Sequence, residues 1–160
     1  MLQTMSSRCA LWAAAVCLSG CGSDGADSGK TGTGSGDLGC GEPVLEVVEG
    51  LAVACESGAC ELEVVGLQPA VPDRGDNTWT VAVRDAAGEP IAVQSVRLAP
   101  FMPAHDHGTV PAFFEGSPGD DGWTLGPFDL FMPGRWEMRA TITVDELTEE
   151  QAVVAFCVEG

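Results

Sequence analysis

The chain of 160 residues contains two histidines, and they lie two apart, as His105 and His107. In extended backbone, residues at that spacing project to the same side. Met102 stands three positions before the pair, in Phe101-Met102-Pro103-Ala104-His105-Asp106-His107-Gly108. Imidazole and thioether together suit copper, and the thioether favours Cu(I). A second Met-Pro turn, Phe131-Met132-Pro133-Gly134-Arg135-Trp136, offers Met132 as a further ligand. The candidate metal site is therefore Met102, His105, His107 and Met132, and the cofactor expected there is copper. Neutral imidazole is needed for ligation, so binding should weaken below about pH 6.5. The competing reading makes both methionines core residues and the histidines ordinary exposed turn residues, with Phe101 and Phe131 capping the end of the fold. Met138 alternates with Trp136 and is expected in the core.

Seven cysteines are present. Cys9 and Cys17 fall in the first twenty residues, and Cys21 follows Leu18-Ser19-Gly20. Cys40, Cys55, Cys60 and Cys157 remain, an even number that suggests disulfides in an exported chain. Cys55 and Cys60 flank the turn-like Glu56-Ser57-Gly58-Ala59, so a bond across a hairpin is expected there. Cys40 would then join Cys157 and tie the start of the domain to its last strand, with a chain-entropy contribution of roughly 4–5 kcal/mol. The alternative, a zinc site built from these cysteines, lacks the CxxC spacing.

Enzymatic chemistry finds little to work with, and no enzyme activity is expected. The chain has neither GxSxG nor HExxH, and it has no tyrosine. Asp73-Arg74-Gly75-Asp76-Asn77 and Gly119-Asp120-Asp121-Gly122 are acidic turns that could attract Ca²⁺, but neither has EF-hand spacing. Turn chemistry accounts for Asp and Gly at such places. Two look-alikes of phosphate-binding loops, Gly20/Gly22/Gly25 and Gly25 to Thr31, fall in a Gly/Ser-rich stretch with no strand before them, and composition explains both.

The amino-terminal segment bears on where this chemistry would operate. Arg8 and the amino terminus precede an apolar run, Ala10 to Leu18. That run is far shorter than the ~20 residues a membrane-spanning helix needs, and it reads as a signal-peptide core. It ends in Leu18-Ser19-Gly20-Cys21, which resembles a bacterial lipobox. The resemblance implies lipidation of the Cys21 thiol and cleavage before it, with ordinary export and cleavage nearby as the alternative. Residues 1–20 are thus expected to be a lipoprotein signal peptide. Residues 21–39 are too poor in apolar side chains to offset chain entropy, and they read as a flexible, disordered tether. The expected location is the cell envelope, with the membrane reached through the lipid anchor. Glycine at position 22, where some lipoproteins retained at the inner membrane carry aspartate, favours the outer membrane.

Acidic residues outnumber basic ones 24 to 7, and the formal net charge is −17. Such a chain repels phosphate, which excludes nucleic acid as a partner. Its charge suits a solvated exterior.

From Pro43 onward, short apolar runs alternate with Gly, Pro and Asp turns. Strands are expected near 44–48, 51–55, 60–66, 78–84, 91–98, 122–130, 135–144 and 151–158. Trp79, Val81 and Val83 alternate with polar or small neighbours. Trp136, Met138, Ala140, Ile142 and Val144 alternate with Arg135, Glu137, Arg139, Thr141 and Thr143. A period of two marks strands with one buried face. Arg84 to Pro90 reads as a turn, and no window carries a helical stripe. The pattern predicts an all-β domain over 40–160, an immunoglobulin-like antiparallel β-sandwich.

Residues 76–158 resemble the YtkA-like/FixH family of small exported or membrane-anchored β-sandwich domains. Met102, Pro103, His107 and Gly108 carry the resemblance in the first turn, and Met132, Gly134 and Trp136 carry it in the second. His105 and the four cysteines are additions to that pattern. FixH-type members are associated with assembly of copper-containing oxidases and usually carry a transmembrane helix, where this chain has a lipobox-like cysteine. The resemblance implies a sandwich fold more than a function, and with the His/Met cluster the expected function is a non-enzymatic, metal-binding or metal-handling envelope lipoprotein. The alternative function is a metal-free interaction or structural module whose loops bind another envelope protein.

Overall fold

A computed structural model describes residues 40–41 and 43–160. The expected signal peptide, Cys21 and the tether lie outside the described residues. Ten strands and one 3-10 turn make up the domain: β1 (Ala52–Ala54), β2 (Cys60–Gln68), β3 (Gly75–Asp85), β4 (Ser95–Met102), the 3-10 turn (Pro103–His105), β5 (His107–Gly108), β6 (Phe114–Glu115), β7 (Ser117–Gly119), β8 (Gly122–Leu130), β9 (Gly134–Thr143) and β10 (Glu149–Val158). They form two antiparallel sheets in a sandwich. One has the order β1-β2-β3-β8-β7 and the other β10-β9-β4-β5, with β6 also pairing to β4.

The alternating residues decide which face of each strand is inside. Trp79, Val81 and Val83 of β3 are buried, as are Trp136, Met138, Ala140 and Ile142 of β9. The indole of Trp79 meets Phe156 of the opposite sheet with ring centroids 5.6 Å apart. Phe128 lies 6.1 Å from Trp79 and 5.7 Å from Phe114, so one aromatic row spans the gap between sheets. Burial of such rings favours the folded state through apolar area and edge-to-face packing.

The strand expectations hold for the long hairpins and shift elsewhere. No strand forms over 44–48; Leu45 N–H donates to the Ala155 carbonyl at 2.7 Å, and the segment runs beside β10 without a ladder. Residues 91–94 also lie outside strands, because the chain there crosses from one sheet to the other. β4 begins at Ser95 and continues through Pro100 to Met102, in register with β9 from Ser95↔Thr143 to Phe101↔Glu137. The short edge strands β5, β6 and β7 are too brief to leave a periodic signal. Among the described residues no helix is long and apolar enough to cross a membrane.

Cys55 is bonded to Cys60, with Cα atoms 5.2 Å apart, and Cys40 to Cys157, with Cα atoms 5.5 Å apart. Both separations lie in the range a disulfide accepts. Cys157 faces Arg135 at the beginning of β9. The second bond therefore pins the entry of the domain to the end of the sandwich that carries the β8–β9 turn.

Candidate metal-binding end

Three turns gather at that end. Gly75 pairs with Leu130, Phe101 with Glu137, and Val158 with Gly134. These registers bring together the loop before β3, the 3-10 turn after β4 and the turn between β8 and β9. Both Met-Pro segments therefore reach the same end of the sandwich.

The first of them is built by local chemistry. Pro103 stands at the first position of the 3-10 turn, where its missing N–H costs nothing. Asp106 closes the turn in the left-handed region, at φ 52° and ψ 41°, a conformation that Asp tolerates better than most residues. The backbone from 103 to 106 is thus turned, where the sequence led us to expect an extended run. The imidazoles still come together: the rings of His105 and His107 stack with centroids 5.6 Å apart and planes 27° apart. His105 is exposed and His107 half-buried.

Met102 sits at the end of β4, directly across from His107 in β5. Residues opposite one another in an antiparallel pair share a face, with Cβ atoms about 4.5–5.5 Å apart. That face is the interior, and Met102 is only 1% exposed. The Met102 side chain is consequently a core group, at a strand position paired with that of His107. Gly108 makes the pairing possible, since a Cβ there would collide with the Pro100 carbonyl oxygen. His107 Nδ1 lies 3.4 Å from the Gly108 carbonyl oxygen. In the tautomer that donates from Nδ1, the Nε2 lone pair is left for a ligand.

The second turn closes on the first through Phe131. Its ring stacks on His107 at 5.5 Å, with planes 17° apart. It also meets Trp136 edge-to-face at 5.7 Å. Arg74 Nη2 donates to the Phe131 carbonyl at 3.3 Å, and Trp136 Nε1 donates to the Met132 carbonyl at 2.9 Å. Met132 itself is half-buried and packs against the edge of the core. Met138 is fully buried, as its alternation with Trp136 led us to expect. Phe101 does not cap this end; it lies on the outer face of its sheet, beneath the Arg139 guanidinium at 3.8 Å.

The sequence names four candidate ligands but gives no role to Arg74, and it offers Phe131 only as a possible cap in the competing reading. Arg74 belongs to the acidic turn before β3, where Asn77 Nδ2 donates to the carbonyls of Asp73 and Gly75, both at 2.7 Å. The Asn77 amide is buried within that turn, so the Asp and Asn residues there serve the backbone. No sequence motif marks a contact across 57 positions such as Arg74 to Phe131.

Cys55, Cys60 and Glu150 come close enough together to suggest a metal cluster. The two sulfurs are bonded to each other, however, and offer no thiolate for the zinc alternative. No protein-family model, curated protein or solved structure matches this chain.

Proposed function

We propose that this protein is a non-enzymatic lipoprotein of the cell envelope, held to a membrane through Cys21, whose folded domain binds copper at the His105–His107 end. The observation that carries this reading is the convergence of the two Met-Pro turns, through the stacking of His107 on Phe131. It puts one exposed imidazole, one half-buried imidazole and two thioethers at one end of the fold. Such a mixed set is softer than calcium or zinc proteins prefer, and it tolerates an oxidising compartment better than free thiols do. The likeness of both turns to those of YtkA-like/FixH domains supports the same reading.

Calorimetric titration of the purified protein with Cu(I) and Cu(II) tests it. Saturable binding in the wild type, lost in His105→Ala/His107→Ala, is the expected result. Absence of saturable binding, or equal binding in the double variant, refutes it. That outcome would favour the second reading, a metal-free module that docks another envelope protein. Val110, which is wholly exposed, and Phe113, about half exposed, speak for such a module.

A further inference from the structure

We infer that the outer face of the sheet β10-β9-β4-β5 is the side of the domain that lies on the membrane, with Arg97, Arg135 and Arg139 turned to the phosphates of lipid headgroups. The inference rests on the lipoprotein reading above and adds to it the way the domain faces the surface that holds Cys21.

The buried alternation fixes which side chains point outward. In β9, Trp136, Met138 and Ala140 are buried, so Arg135, Glu137, Arg139 and Thr141 form the outer row. Arg97 and Phe101 of β4 join that row, in register with Thr141 and Glu137. The guanidiniums are held in place. Arg139 lies over the Phe101 ring at 3.8 Å and Arg97 over Phe113 at 4.9 Å. Glu137 takes Arg139 at 2.8 Å and Arg135 at 3.3 Å. Among the described residues Arg97 makes no ion pair. Guanidinium meets phosphate through two parallel hydrogen bonds, and a guanidinium already positioned loses less freedom in doing so.

The two outer faces of the sandwich differ in charge. The opposite one carries Glu61, Glu63, Asp76 and Asp129 against Arg84, and Arg84 is paired with Glu63. On the arginine face the acids are Glu137 and, toward the end remote from Cys157, Glu115 and Glu149. Arginines there match acids in number, in a chain whose acids outnumber its bases 24 to 7. Packed sheets lie about 10 Å apart, more than the screening length of about 8 Å at physiological salt. A phosphate at Arg139 is therefore shielded from the carboxylates of the far face.

The entry of the chain points the same way. Cys157 pairs with Arg135 and stands between buried Phe156 and Val158, so it belongs to the arginine face. Its bond to Cys40 brings the start of the domain to that face. Residues 22–39 separate Cys40 from Cys21, and they span at most about 60 Å. A lead of that length keeps the face at a high effective concentration next to the membrane.

The experiment is modification of arginines by phenylglyoxal, read by peptide mass mapping, on the purified lipidated protein. One sample is held in vesicles of phosphatidylcholine and phosphatidylglycerol, the other in micelles of a non-ionic detergent. Arg97 and Arg139 should react about fivefold more slowly on the vesicles, the factor by which one arginine near an anionic surface favours contact. High salt should remove most of that difference. Arg84, on the far face, should react equally in both samples. Equal rates for Arg139 in vesicles and micelles, or an Arg84 slowed as much as Arg139, overturn the inference and leave the lipoprotein reading standing. A purified protein without lipid on Cys21 overturns both.

Discussion

Met102 and His107 are paired across β4 and β5, the methionine wholly buried and the imidazole half-buried. A core methionine is thereby also a neighbour of the only half-buried imidazole. The pairing depends on the close approach of β5 to β4.

That dependence can be tested at Gly108. A Cβ there meets the Pro100 carbonyl oxygen, so Gly108→Ala must push β5 away from β4. We expect a loss of about 1–3 kcal/mol from overpacking and a weaker copper affinity. Chemical denaturation and calorimetry on the same sample check the two effects. Retention of both stability and affinity would contradict the role given to the strand pair.

The two disulfides should differ in weight. Cys40–Cys157 closes a separation of 117 residues and Cys55–Cys60 a separation of 5. On the chain-entropy account the first contributes about 5 kcal/mol and the second about 2. Cys157→Ser with Cys40→Ser should therefore lower the melting temperature more than the corresponding pair at 55 and 60. Non-reducing peptide mapping checks the bonds themselves, and a thermal ranking in the opposite order would count against the entropic account.

Anchoring is tested at Cys21. Cys21→Ser should leave the precursor without lipid and move the protein from the detergent phase to the aqueous phase on phase partitioning. Unchanged partition would remove the lipoprotein reading while leaving the folded domain's chemistry untouched.

The β9–β10 hairpin carries a pH signature. The backbone N–H of Leu147 donates to Asp145, the side chain of Thr148 adds a second hydrogen bond, and together they hold the carboxyl below its ordinary value despite some desolvation. A carboxyl lowered in the folded state contributes stability above its unfolded value of 3.8. That contribution disappears as pH falls through the lower folded value. An NMR titration of the Asp145 carboxyl should show a midpoint below 3.8, and Thr148→Val should move it upward. A midpoint at or above the unfolded value would refute the cap.

Much of this fold is written in short-range pattern. The alternation of Trp136 to Ile142 with charged and hydroxyl neighbours specifies one buried face whatever the partner strand, because side chains alternate in any extended backbone. The spacing of Cys55 and Cys60 across four turn residues similarly needs no distant contact to come within bonding reach. The two Met-Pro turns and the His-x-His pair are equally local, and they suffice to name the candidate ligands. What the pattern could not decide is where those ligands end up. Ahead of Pro100, which lacks an N–H for the ladder, the pattern gives a strand only over 91–98. Pairing with β9 carries it on to Met102 and thereby turns the thioether inward. The meeting of His107 with Phe131, and of Arg74 with the Phe131 carbonyl, joins segments that are far apart in sequence. Such contacts follow from how two sheets stack and which loops share an end, and only the assembled sandwich determines that.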